Sequence, residues 1–92
     1  MKKNVRQTLC DALEDLLEQQ FKALKGSLPA TDEGREVPRG QLERADRQDV
    51  VDLMCCYYGE EGAPGVCIRV LEKINARDVA VKLREALWRH LA

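Results

Sequence analysis

Histidine, aromatic residues and any excess of one charge sign are all scarce in this chain. There is one histidine, His90, and only one Phe, one Trp and two Tyr in 92 residues. Each scarcity excludes a class of protein. A lone histidine, no nucleophile–base arrangement and no glycine-rich phosphate loop leave no outline of an enzyme, and no cofactor is expected. The four cysteines are Cys10, Cys55, Cys56 and Cys67. They form no CxxC pair, and adjacent Cys55 and Cys56 cannot easily chelate one metal together, so no metal site is expected. In a reducing compartment such thiols serve as small core hydrophobes. Lys and Arg number 15 against 16 Asp and Glu, a net charge of -1. That lacks the basic excess of a nucleic-acid binder, and the few aromatics are not clustered for base stacking, so direct binding of nucleic acid or an anionic ligand through Lys22, Lys25 and Arg39 stands only as a lesser alternative. No apolar run is long enough to cross a bilayer, so no membrane partner is expected. The start, Met1-Lys2-Lys3-Asn4-Val5-Arg6, lacks the apolar stretch of a signal peptide, which points to a cytoplasmic protein.

What remains is a small chain, 1–92, read as a single domain with one core and little stability to spare. Charged residues make up 34% of it. A surface so charged and yet so balanced suits complementary patches of opposite sign; an ordinary solvated surface is the competing reading.

The apolar spacing is helical throughout. Val5, Leu9, Ala12, Leu13, Leu16 and Leu17 predict a first helix over roughly 4–16, with Gln7, Asp11, Glu14, Asp15 and Glu18 on an acidic opposite face. A second helix over about 18–27 buries Phe21, Leu24 and Leu28 and exposes Lys22 and Lys25; Gly26 and Pro29 end it. Residues 29–40 read as a long polar loop, which Val37 could pin to the core, and such loops are usually functional or mobile. Residues 41–44 allow one short helical turn with Leu42 inward. Asp46 reads as the N-cap of the next helix with Asp49 at N3. That helix buries Val50, Leu53, Met54 and Tyr57, leaves Tyr58 nearer the surface, and stops at Gly59. A turn at 60–63 leads to a fifth helix with Pro64 in its first turn, burying Val66, Cys67, Val70, Leu71 and Ile74. Asn75 is expected to cap a sixth helix, with Asp78 at N3 and Val79, Leu83, Ala86 and Leu87 inward. Trp88 falls where the bundle should be ending, in a loosely packed tail. No segment alternates as a strand does, so the expected fold is all-α, a compact antiparallel bundle of short helices.

The most informative stretch is Val37-Pro38-Arg39-Gly40-Gln41-Leu42-Glu43-Arg44-Ala45-Asp46. It places basic and acidic side chains around a turn, directly before an apolar helix. Together with Leu13-Glu14-Asp15-Leu16, Phe21-Lys22-x-Leu24, Asp49-Val50-Val51-Asp52-Leu53-Met54 and the close Val70-Leu71-x-x-Ile74-Asn75-Ala76-Arg77-Asp78-Val79, it resembles a pyrin domain of the death-fold superfamily, as found in NOD-like receptors. The resemblance covers essentially the whole chain.

It implies a six-helix bundle of the death-fold type, with a long loop before a short third helix. It also implies a non-enzymatic module that binds the pyrin domain of an adaptor protein and self-associates into filaments in inflammasome, innate immune or cell-death signalling. The chain would then be the N-terminal domain of a NOD-like receptor, or else the pro-domain of an inflammatory caspase or a pyrin-only regulator. The family's acidic interface positions fall on Glu14 and Asp46, with Asp49 a turn later. Its basic positions fall on Lys22, with Lys25 beside it, and on Arg39. Gly26-Ser27 thin the basic patch, and Arg44 and Arg47 are expected to dilute the acidic one around Asp46. Gly59 to Gly65 is rich in glycine and is expected to be mobile.

Overall fold

A computed structural model describes residues 5–31 and 33–91, the side chains of 89–91 aside; Asn4, Asp32 and the His90 imidazole lie outside the described residues. Five helices follow in order: α1 (Val5–Glu14), α2 (Glu18–Gly26), α3 (Arg39–Arg44), α4 (Arg47–Lys73) and α5 (Arg77–Leu91). No strand occurs among the described residues. α4 is broken at Gly59, whose φ of 81° and ψ of 158° lie outside the helical region. A side chain with a Cβ is strained at that φ, so glycine suits the site. Counting α4 as two segments restores the six helical pieces. The expected turn at 60–63 is instead helical, because helix resumes directly after the break.

α1 packs against both α4 and α5, and α4 against α5; α2 and α3 lie to one side, with α2 reaching α4. The core at these contacts comprises Leu9, Leu13, Leu24, Val50, Val51, Met54, Ala63, Cys67, Leu71 and Ala76, all fully buried, with Leu16, Phe21, Leu42 and Leu83 nearly so. Leu53, expected in the core, is half-buried and packs against its edge.

The helix ends are set by short-range chemistry. Asp46 Oδ1 accepts from the Asp49 N–H at 2.8 Å, and Asp49 Oδ2 accepts from the Asp46 N–H at 3.3 Å. This reciprocal pair satisfies two amides that the first turn of α4 leaves open. At the other end the Ala76 N–H donates to the Leu71 carbonyl at 2.8 Å and the Asn75 N–H to Glu72 at 3.2 Å. Asn75 has φ 66°. These are the bonds of a Schellman motif with asparagine in the left-handed position, sealed by buried Leu71 and Ala76. Asn75 therefore terminates α4 rather than capping α5; the Ala76 carbonyl accepts the first bond of α5, from the Ala80 N–H at 3.0 Å.

Four further side chains differ from expectation. Leu17 is 69% exposed. α1 ends two residues early, because the Asp15 and Leu16 amides drop back to the carbonyls of Ala12 and Leu13. That tighter last turn shifts the apolar stripe by one position, so Leu16 points inward and Leu17 becomes the N-cap residue of α2. Leucine has no acceptor to offer there; only the return bond forms, from the Leu17 N–H to Gln20 Oε1 at 3.0 Å. The two tyrosines exchange roles. Tyr58 packs against the core and donates its hydroxyl proton to the Pro29 carbonyl, while half-buried Tyr57 lies under Arg35, 4.9 Å from its ring centroid. Trp88 is 74% exposed, yet it stands on regular helix rather than in a loose tail.

Candidate functional site

The six charged residues singled out in the sequence divide between two regions of the surface. Lys22 and Lys25 stand on α2 and Arg39 opens α3, and the three line one groove of about 380 Å3. Its floor is Leu28, Val37 and Leu42, and Glu36 and Glu43 share its rim. Lys22 and Arg39 are exposed and make no ion pair with any described residue, so their charges are available to a partner. Lys25 is different. It is half-buried, its Nζ donates to the Ala45 carbonyl at 3.3 Å and sits 4.7 Å from the Phe21 ring centroid. It ties α2 to the end of α3, and only part of its charge faces outward.

The acidic residues gather where the end of α1 meets the start of α4. Glu14 is the last residue of α1 and Asp46 caps α4; both are exposed, as is Asp49. Arg47, a residue sequence reasoning misread, holds the two ends together. It does not dilute the acidic patch, because it turns inward. Its Nε donates to the Leu13 carbonyl at 2.8 Å and its Nη2 to Leu16 at 2.9 Å. The Leu13 carbonyl also accepts from the Leu16 N–H at 3.1 Å and gives Arg47 its second lone pair, the Leu16 carbonyl lies just past the end of α1, and a cation there also meets the negative end of the helix dipole. The same guanidinium lies 4.8 Å from the Phe21 centroid, so one ring contacts both Lys25 and Arg47. Arg44 remains on the surface, lining a second groove with Asp49, Asp52 and Leu53.

The extent of the acidic field shows at Cys10. Its half-buried thiol is pushed up, chiefly by burial and then by the carboxylates of Asp52, Asp11, Glu14 and Asp46. The first of these, Asp52, is paired with Arg6, which also reaches Glu60. Asp11 accepts from Gln7 Nε2 at 3.0 Å. Glu14, Asp46 and Asp49 make no ion pair with any described residue, so their charge on this face is open. Cys55 and Cys67 are likewise pushed up by burial, Cys67 to about 12, while Cys56 is exposed. Among the described residues no cluster of His, Cys, Asp and Glu is placed to hold a metal ion, and no helix is long and apolar enough to cross a membrane.

Comparison with known proteins gives the arrangement a setting. The family model described as PAAD/DAPIN/Pyrin domain matches residues 8–81. The human protein "NACHT, LRR and PYD domains-containing protein 6" is 40% identical over 87% of this chain, which spans 9% of that relative. "Caspase b" of Danio rerio is 40% identical over 91% of this chain, which spans 21% of it. The solution structure of the pyrin domain of human Pyrin superposes with a TM-score of 0.84 at 31% identity, covering 94% of this chain and 99% of that one.

Proposed function

The chain belongs to the pyrin domain family, and on that premise we propose that it recruits the pyrin domain of an adaptor, and further copies of itself, through two oppositely charged faces. The observation that carries this is the division of its exposed charge. Lys22 and Arg39 rim the α2–α3 groove, and Glu14, Asp46 and Asp49 stand at the junction of α1 and α4. A contact joining the basic face of one copy to the acidic face of the next leaves one face of each kind open. Such head-to-tail contacts extend into filaments unless the rotation closes a ring.

Magnitudes fit a cooperative assembly better than a tight pair. Exposed ion pairs contribute about 0.2–1 kcal/mol each, while association costs at least about 4 kcal/mol in lost freedom. Two or three such pairs do not hold one contact alone. They orient it and speed encounter, and many weak contacts in one assembly supply the rest. Arg39 suits a carboxylate partner because its planar fork can make two parallel bonds, whereas Lys22 acts as a point charge.

The chain spans a small part of its relatives, and those relatives include both a NACHT and LRR protein and a caspase. The reading as the N-terminal domain of a NOD-like receptor, acting in the cytoplasm in inflammasome-type signalling, rests on the first; the reading as a caspase pro-domain rests on the second. Both use the same faces. Sedimentation and electron microscopy of the wild type beside Lys22→Glu and Arg39→Glu test the proposal, and unchanged assembly in both variants would overturn it.

A further inference from the structure

Twelve positions, 27–38, join α2 to α3, the described ones among them without helix, and α3 has only six residues. A helix that short is not stable by itself. The placement of Arg39, its first residue, therefore depends on what holds the connection. Part of the order is local. The Thr31 N–H donates to the Arg35 carbonyl at 2.7 Å, the Gly34 N–H to Thr31 at 2.8 Å, and the Arg35 N–H to Thr31 Oγ1 at 3.1 Å. The rest comes from outside. Val37 is buried, the Tyr58 hydroxyl donates to the Pro29 carbonyl, and Arg35 lies over the Tyr57 ring. Neighbouring residues on a helix point about 100° apart. From adjacent places on α4, Tyr58 thus holds the connection at Pro29, before Thr31, and Tyr57 holds it at Arg35. Around them is a cavity of about 390 Å3 lined in part by Thr31, Arg35, Val66 and Arg69.

We propose that Tyr58, with Arg35 stacked on Tyr57, is a positioning latch for the basic face: it holds the α2–α3 connection against α4 and so fixes Arg39 relative to Lys22. This rests on the reading of Lys22 and Arg39 as an interface. Neither tyrosine lines the groove of Lys22 and Arg39, and the two cavities share no lining residue, so Tyr58 acts through Arg39 without itself meeting the partner. The Tyr58 hydroxyl is pushed up by burial, which accords with a proton kept for donation to a carbonyl.

The test compares the wild-type chain with Tyr58→Phe, which keeps the ring in the core and removes only the donor. Amide hydrogen exchange is read at 30, 31 and 33–37 and in α1. Exchange in the connection should rise about 5-fold, the scale of one lost hydrogen bond, with α1 unchanged. The critical concentration for self-assembly should rise by a similar factor, and this effect should vanish in an Arg39→Ala background but persist in Lys22→Ala. A structural role alone would give the same loss in every background. Unchanged exchange overturns the latch whether or not the chain assembles. Faster exchange with an assembly defect that ignores Arg39 overturns the positioning role. If the wild type does not assemble and Lys22→Glu changes nothing, the interface reading itself falls and takes the positioning role with it.

Discussion

Arg47 Nε donates to the Leu13 carbonyl across 2.8 Å, so the first residue of α4 closes the last turn of α1. Two elements 33 positions apart in sequence are joined by one side chain, and the acidic face depends on that junction. Removing the guanidinium would take one of two donors from the Leu13 carbonyl, take the Arg47 donor from the Leu16 carbonyl and take one cation from the Phe21 ring.

Arg47→Ala should therefore destabilise the domain by about 2–3 kcal/mol, the scale of lost charge-assisted bonds at a partly buried site. For a chain this size that corresponds to a fall in Tm of roughly 10–20 °C. Thermal unfolding followed by circular dichroism checks it; a fall of only a degree or two would mean that the two bonds do not matter in solution.

Lys22→Glu and Arg39→Glu should abolish assembly with helical content retained, because both side chains are exposed and make no ion pair with any described residue. Lys25→Glu should instead lower stability as well, since its Nζ is bound to the Ala45 carbonyl and lies over Phe21. Light scattering and circular dichroism on the same samples separate the two outcomes. Wild-type assembly should also weaken as salt rises, as exposed charges are screened.

Asp46 carries two roles that substitution can separate. Asp46→Asn keeps an acceptor for the Asp49 amide and loses only the charge, so assembly should weaken while Tm holds. Asp46→Ala should cost about 1 kcal/mol of stability in addition. The cleaner complementation test therefore uses Glu14→Arg, at a position where no described group is bonded. Copies carrying Glu14→Arg and copies carrying Arg39→Glu should assemble only when mixed. Assembly by either variant alone would count against opposed faces.

The thiols should label in a fixed order. Exposed Cys56 should react first with an alkylating reagent, and Cys67 only after unfolding, because the thiolate is the nucleophile and burial pushes Cys67 up to about 12. The same burial makes stability depend on pH. The folded state keeps a proton that the unfolded state gives up first, so stability is full below the ordinary thiol range and is lost as pH climbs toward about 12. Mass spectrometry of labelled peptides and denaturant melts across alkaline pH follow both effects.

The sequence by itself determined the helical class, most helix ends and most of the core. Those follow from spacing and from neighbours within about four residues: the Asp46–Asp49 capping pair, the break at Gly59, and the stripe of Leu9, Leu13, Leu24 and Leu71. It also put Glu14 on the exposed face of the first helix, Asp46 and Asp49 at the start of a later one and Lys22 on the exposed side of the second, but left Arg39 in the long connection, where the structure makes it the first residue of α3. Its errors have two physical causes: local bonds at helix ends that apolar spacing does not reveal, at Leu17 and Asn75, and contacts distant in sequence, at Tyr58 and Arg47. Leu17 faces outward because α1 tightens before it. Tyr58 is held inward by the Pro29 carbonyl, 29 positions away. Asn75 ends one helix rather than beginning the next, because Leu71 and Ala76 close over it. Arg47 looked like one more surface charge. Only tertiary structure brought it to the carbonyls of Leu13 and Leu16 and the face of Phe21, since the negative end of a helix and an aromatic ring attract a cation only once packing has placed them within reach.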